Sequence, residues 1–186
     1  VSTNANGHAL EVKANAIASL SMGASAWSGN THVEANGTLI VGATTALGNA
    51  DAPLSVNGTL TLNANVTKGE LTGTGLINAN TAATIQIGAT FGSIYSGTFG
   101  NGTAALSLTK TSTGLLTLLG NSTHTGVTTV SAGQLEIGNG GTTGALGSGS
   151  ITVNAGGILS WNRSDDITIA NSINGAFANV VQNGSG

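Results

Sequence analysis

Residues 28–42 read SGNTHVEANGTLIVG, and residues 125–138 read TGVTTVSAGQLEIG. Both stretches run from a glycine turn into a threonine-rich strand, then through a small-residue turn into a strand with alternating apolar residues. They also continue alike, because the ALG of residues 46–48 and the ALG of residues 145–147 each precede two further apolar runs. Self-similarity of this kind is typical of stacked arrays in which no single unit can bury its apolar face alone. We therefore expect an extended, repetitive surface rather than a pocket.

The composition favours a thin core filled in layers beneath a largely uncharged surface. Charged residues make up 6% of the 186 residues, aromatic residues 3%, and there are 30 glycines and one proline. The net charge of −3 includes only four basic residues, too few to neutralise a run of phosphates, so we expect no nucleic-acid partner. No apolar run approaches the ~20 residues of a membrane helix, so we expect no direct membrane insertion. The lack of cysteine excludes disulfides, thiolate catalysis and cysteine-ligated zinc.

Short runs rich in Val, Ile, Leu and Thr, bounded by Gly or Asn, predict strands along the whole chain. Residues 9–22 allow a helix, but two strands at 10–12 and 17–22 fit their period of two better. Asn-Gly pairs between the runs predict corners, since both residues tolerate positive φ, and the same pairs leave antiparallel hairpins open. The other predicted strands cover residues 38–41, 60–62, 85–87, 106–109, 115–118, 135–137, 158–161 and 167–169.

The core follows from positions that alternate and that are equivalent in the two repeats. Trp161 aligns with Leu62 and therefore reads as a core residue, with a ligand platform as the alternative. The predicted inward-facing residues are Leu39, Val41, Leu60, Leu62, Leu135, Ile137, Leu159 and Trp161.

A family resemblance adds to this reading. Residues 110–138, KTSTGLLTLLGNSTHTGVTTVSAGQLEIG, resemble the passenger-associated transport repeat of bacterial autotransporters, and residues 161–169, WNRSDDITI, are similar to the segment that often follows it. His124 and Val127 stand where that repeat commonly has Tyr and Gly. The resemblance implies an all-β fold, a right-handed parallel β-helix, here of about eight or nine coils at ~20–25 residues each. It also implies display on the surface of a Gram-negative cell by the C-terminal translocator β-barrel of a parent protein.

The chain reads as one β-helix segment, residues 1–186, with internal repeats at residues 27–80 and 108–186. It reads further as a piece of a longer passenger, because residues 108–114 resemble residues 180–186 and a strand follows only the first copy. We expect both ends to present unpaired strand edges, through which the chain associates unless residues 1–22 form a local cap.

Residue types that could carry catalysis are scarce. His8, His32 and His124 are scattered, no metal-binding or nucleophile motif is present, and we expect no enzyme, no catalytic residue, no cofactor and no metal. Calcium solenoids need an Asp in every turn, whereas only Asp51, Asp165 and Asp166 are present. The one dense charge cluster is Asp165 and Asp166 beside Arg163. We interpret it as a solvated turn, with half of a sugar-cleaving or calcium site as the alternative.

Two further features have a functional and a structural interpretation. Trp27 aligns with His124 at a turn, where it could stack on a sugar, although packing over a corner is the preferred interpretation. Asn-x-Ser/Thr triplets could carry glycans, but chance suffices in so Asn- and Thr-rich a chain. These triplets begin at Asn36, Asn57, Asn65, Asn101, Asn121, Asn162 and Asn183.

The expected function is that of a surface-displayed passenger segment acting in adhesion or cell–cell aggregation. Stacked coils would present rows of Thr, Asn and Ser along a rod, and weak contacts would add up along its length. The expected partners are a host surface or matrix component, or an identical rod on a neighbouring cell; no ligand-binding residue is assigned. Two alternatives stay open: a passive stalk for a distal domain, and a non-catalytic part of a secreted glycan lyase or protease.

Overall fold

The computed structural model describes residues 8–21, 28–175 and 179–185, and every regular element in them is a β-strand. The strands are β1 His8–Val12, β2 Ile17–Leu20, β3 Asn30–Val33, β4 Thr38–Val41, β5 Leu54–Val56, β6 Thr59–Leu62, β7 Val66–Lys68, β8 Leu71–Thr72, β9 Leu76–Ala79, β10 Ala83–Ile87, β11 Gly92–Tyr95, β12 Thr98–Phe99, β13 Leu106–Lys110, β14 Leu115–Leu118, β15 Thr128–Val130, β16 Gly133–Gly141, β17 Ile151–Val153, β18 Gly157–Arg163, β19 Ile173–Asn174 and β20 Asn179–Gln182.

The strands stack as a β-solenoid of about eight turns with three faces. The first face runs β1-β3-β5-β8 and continues as β11-β14-β16-β18-β20 through a parallel bridge between Gly73 and Tyr95. The second face is β2-β4-β6-β9-β12, and the third is β7-β10-β13-β15-β17-β19. Every strand pair of the described residues is parallel, which excludes the antiparallel hairpins that the Asn-Gly pairs left open.

The two sequence repeats occupy different faces of the solenoid. In the first repeat, the corner at Asn36 and Gly37 connects β3 on the first face with β4 on the second. In the second repeat, the equivalent corner before Gly133 connects β15 on the third face with β16 on the first. The repeat therefore specifies a strand–corner–strand unit that is not tied to one pair of faces.

The predicted core is confirmed. Leu39 pairs with Leu60 and Val41 with Leu62, just as Leu135 pairs with Leu159 and Ile137 with Trp161 in the second repeat. All eight side chains are buried, Trp161 included, so the core interpretation of Trp161 holds. Residues at equivalent positions of successive coils are alike and contact one another. Burying their apolar surface contributes a stabilising free energy of roughly 25 cal/mol per Å², which holds the coils together.

A column of glycines forms the corner between the first and second faces, at Gly37, Gly58, Gly75, Gly97 and Gly120. The carbonyl oxygens of Gly37, Gly58 and Gly75 each accept a backbone N–H of the next coil at 2.8–3.0 Å. A Cβ added at Gly75 would lie 2.0 Å from the Gly58 oxygen, and one at Gly97 would lie 2.1 Å from the Gly75 oxygen. Only glycine allows the coils to approach this closely.

Two predictions about local structure were wrong. Residues 167–169 form no strand: after β12 the described chain crosses the second face without strands, at residues 119–127, 142–150 and 164–172. A single parallel bridge between Asn121 and Ala145 remains there. Side-chain amides add further bonds between the coils, since Asn171 donates to the carbonyls of Gly147 and Gly149 at 2.7 Å each, and Asn121 accepts the N–H of Gly144 at 3.0 Å. The Asn139-Gly140 pair is not a corner either, because it lies inside β16 where the register with β18 shifts.

Candidate binding surface

The third face carries a row of uncharged polar side chains on its outer side. Each strand of this face places one of them opposite its neighbours in the parallel register, and all are at least partly exposed. Successive members are one strand spacing apart, about 4.8 Å. We call them the polar row: Thr67, Gln86, Thr109, Thr129, Thr152 and Asn174.

Asparagine side chains at the corners bond neighbouring coils. Asn57 and Asn65 accept the backbone N–H groups of Thr74 and Thr84 at 3.2 and 2.8 Å. Asn101 accepts the N–H of Thr125 at 3.1 Å and donates to its hydroxyl at 2.9 Å. These amides begin Asn-x-Ser/Thr triplets, and a glycan on them would disturb the contacts between coils. These three amides therefore link coils, and glycan attachment at the triplets stays a prediction to be tested.

The charge cluster at Arg163 differs from the predicted solvated turn. Arg163 ends β18 and is buried, and its guanidinium donates to the carbonyls of Gly144 and Thr142 at 2.6 Å each. It also forms a two-pronged pair with Asp165 at 2.9 and 2.7 Å, which lowers the pKa of that carboxyl. Asp166 is exposed. Because Arg163 occupies one carboxylate and the other faces solvent, the cluster closes a corner, and the two acids do not converge on a ligand.

Two lysines lie inside the solenoid at ends of third-face strands. Lys68 is fully buried and donates to the carbonyls of Leu47 and Asn49 at 3.2 and 2.7 Å. Burial lowers its pKa to about 8, against the opposing effect of the Asp51 charge. The sequence signal was present, because the alternation from Val66 places Lys68 inward.

Lys110 repeats this arrangement two coils further along. Its ammonium donates to the carbonyls of Thr111, Ser112 at 2.8 Å, Ala132 at 3.4 Å and Ala89 at 3.5 Å. Burial lowers its pKa to about 8 as well. Sequence reasoning missed both lysines, because it considered charge only as a property of the surface.

The three histidines are not brought together in a site. His32 faces outward on β3, whereas His124 is buried, with its Nε2 3.0 Å from the Thr128 hydroxyl and its ring edge-on to Phe99 at 6.1 Å between centroids. Burial lowers the pKa of His124. His8 begins β1, but its side chain, like the whole of Trp27, lies outside the described residues. The proposed roles of Trp27 therefore stay untested.

The part of the chain that the structure describes offers no candidate metal centre and no candidate membrane-spanning helix. It contains no group of three or more His, Asp or Glu that could hold a metal ion. It also contains no helix with the length and apolarity needed to span a bilayer.

Comparisons with known proteins agree with this architecture. The family model of the passenger-associated transport repeat matches residues 108–137, which include β14 and β15. Over 104 residues, 54% of the chain, the sequence is 42% identical to the adhesin BmaC autotransporter of Brucella suis biovar 1 (strain 1330). The aligned part is 3% of the length of that relative. No solved structure matches the chain. The chain is therefore similar to autotransporter passengers over residues 108–137, which match the repeat, and over the 104 residues aligned with the adhesin.

Proposed function

We propose that this segment acts in adhesion or cell–cell aggregation through its outer surface, with the polar row as the principal contact. The supporting observation is the in-register row of uncharged polar side chains along six strands of one face. Each side chain makes a weak contact, and identical spacing on a partner would allow the contacts to add. The relative named an adhesin supports the same role.

The proposal includes where the segment works. It would stand outside a Gram-negative cell, attached through the translocator β-barrel of a parent protein, and would meet a host surface, a matrix component or a second rod. It would carry out no chemistry of its own. The positions of Arg163, His32 and His124, which serve structure or lie apart, support this part of the proposal.

The first test concerns length. Proteins with one and two copies of residues 27–186 should differ in adhesion to matrix-coated beads or in bead clumping, the longer protein being more active. The dependence on ionic strength should be modest, since few charges take part. Equal activity of the two lengths would contradict a distributed surface, and inactivity of both would favour the passive stalk.

The second test concerns the face. Thr109→Glu with Thr129→Glu places two carboxylates side by side on the polar row, since these residues pair between β13 and β15. The matched control is Thr38→Glu with Thr59→Glu, an outward pair on the second face. The first double variant should reduce adhesion and the control should not, while both keep the melting temperature of the unmodified protein. Equal loss in both would contradict the role of the polar row.

A further inference from the structure

An open groove of about 310 Å³ lies at the corner between the third and first faces. Four successive coils form it: Asp51 and Pro53 come from the turn before β5, Gly69 and Glu70 precede β8, Thr90 and Phe91 precede β11, and Ser112 precedes β14. No residue of the polar row lines the groove.

Phe91 is the most prominent apolar feature of this corner. Its side chain is 88% exposed, the highest value among the large apolar residues of the described chain. The chain has only three Phe, two Trp and one Tyr, and Tyr95 and Phe99 are fully buried. A free aromatic ring beside a groove offers a flat surface on which a planar or cationic group can stack.

The polar atoms of the groove accept hydrogen bonds and offer few donors. The carboxylates of Asp51 and Glu70 accept only, and the Thr90 hydroxyl already donates its proton to the Gly88 carbonyl at 3.1 Å. Three backbone N–H groups of the groove are also used: Asp51 donates to the Asn49 side chain at 3.0 Å, Gly69 to the Ala52 carbonyl at 3.2 Å and Gly88 to the Lys68 carbonyl at 2.8 Å. Because these groups are mostly acceptors, the groove disfavours anionic ligands and favours a ligand rich in hydrogen-bond donors.

The cations of this corner point away from the groove. The Lys68 ammonium is turned to the carbonyls of Leu47 and Asn49, and the Lys110 ammonium to those of Ser112 and its neighbours. Both lysine side chains are fully buried. The surface of the groove therefore presents two carboxylates to solvent, and the buried ammonium groups cannot reach a ligand as donors.

From this complementarity we propose that the corner groove, Asp51, Glu70, Thr90 and Phe91 with their backbone, docks an arginine side chain of a basic protein partner. A guanidinium has five donors and no acceptor, carries a positive charge and stacks on aromatic faces. It would stack on Phe91 and donate to Asp51 and Glu70. This inference goes beyond the proposed function, because it is a point site for a protein partner and needs no contribution from the polar row.

The test uses two tripeptides, N-acetyl-Gly-Arg-Gly-amide and its isosteric neutral analogue with citrulline. The chain is titrated with each, and amide shifts are followed by NMR. The arginine peptide should shift residues 51–53, 69–70, 88–91 and 112 saturably, with a dissociation constant on the order of 10 mM, as expected for exposed ion pairs and one stacking contact. The citrulline peptide should bind at least severalfold more weakly, and added salt should weaken only the arginine peptide.

Variants separate the groove from the rest of the surface. Phe91→Ala should weaken binding roughly two- to fivefold, and Glu70→Gln should weaken it and reduce its dependence on salt. Ile94→Ala is the matched control, because Ile94 is a 57% exposed apolar residue of β11 outside the groove, and it should bind as the unmodified chain does. The amide signals of residues outside the groove show whether each variant is folded. If Phe91→Ala unfolds, Glu70→Gln still tests the proposal.

Three results would overturn the proposal. They are equal binding of the two peptides, shifts that lie outside the groove, and unchanged affinity in both groove variants. A saturable shift with methyl glucoside but none with the arginine peptide would likewise overturn it, in favour of a sugar site. The double variant Thr109→Glu with Thr129→Glu on the polar row should leave arginine binding intact. The arginine site and the proposed function can therefore be contradicted independently of each other.

Discussion

Lys68 and Lys110 show how single residues complete the corners of this solenoid. A corner turns several carbonyls inward, and a buried carbonyl without enough donors is costly. A lysine at the last inward position of a strand is long enough to reach the adjacent corner and donate to these oxygens. The lysine ammonium thereby serves as an internal hydrogen-bond donor.

We expect Lys68→Met to destabilise the chain by about 2 kcal/mol or more, because it removes a buried ammonium that donates to the carbonyls of Leu47 and Asn49. Lys13→Met is the control: Lys13 is exposed and pairs with Glu34 at 3.0 Å on the surface, where a single pair contributes little. Urea unfolding followed by circular dichroism measures both. Similar losses in the two variants would contradict the role of the buried ammonium.

His124 should make the fold sensitive to mild acid. Its pKa lies below its ordinary value of 6.5, so below about pH 6.5 the unfolded chain binds more protons than the folded chain and stability falls as pH falls. Asp165 and Glu34 also have lowered pKa values, but their effect belongs to lower pH, near the ordinary carboxyl range of about 4.

The measurement is the urea midpoint at about pH 7.5 and about pH 5.5. The unmodified chain should lose stability between these values, and His124→Phe, which keeps a ring beside Phe99 without titrating, should lose less. An equal loss in the variant would assign the acid sensitivity to other groups.

At the scale of elements, the glycine column sets how closely coils can approach. Gly75→Ala would place a Cβ 2.0 Å from the Gly58 carbonyl oxygen, and we expect a loss of at least about 2 kcal/mol, since backbone must move. Gly92→Ala is the control, because a Cβ there meets nothing within 4 Å, and we expect a change within about 0.5 kcal/mol. Thermal melts compare the two. A tolerated Gly75→Ala would show that the corner can relax.

The sequence predicted a strand correctly where both the period-two alternation of apolar residues and the length of the run fitted a strand. Residues 38–41 and 115–118 form β4 and β14 with the predicted bounds. Residues 167–169 have the same alternation, yet Asn171 and its side-chain bonds hold that coil without a ladder. The local sequence pattern could not distinguish a strand from a coil without strands, because the difference depends on which hydrogen-bonding groups the neighbouring coil presents.

The candidate sites were less predictable than the fold. Period-two alternation already placed Lys68 and Lys110 inward, so the interior lysines could have been found from the sequence. The groove at Phe91 could not, because its residues come from four coils and are adjacent only after stacking fixes the register. Arg163 was misread for a similar reason: its partners Gly144 and Thr142 belong to the preceding coil.

At the scale of the whole molecule, the exposed strand edges should promote association. Among the described residues, β19 and β20 each pair with a strand on one side only, and Val180 of β20 is 44% exposed. Edges of this kind can template pairing with another chain. Sedimentation should therefore show association that grows with concentration.

A variant tests whether the edge is responsible. Val180→Pro removes a backbone donor of β20 that points away from β18 and should reduce association, whereas Ile94→Ala on β11, a strand paired within the solenoid, should leave it unchanged. A strict monomer at all concentrations would contradict the expectation. So would association that is insensitive to the proline.

The parallel stacking of coils also decides how the rod bears a mechanical load. Hydrogen bonds between coils point along its axis, so a pull from end to end places them in tension and detaches the outermost coil first. A detached coil of roughly 20 residues extends to about 70 Å, far more than the ~4.8 Å it occupied in the stack. A tether built in this way would lengthen in steps when fluid flow pulls on it. Each step would limit the force that reaches the contact between the tip of the rod and its partner.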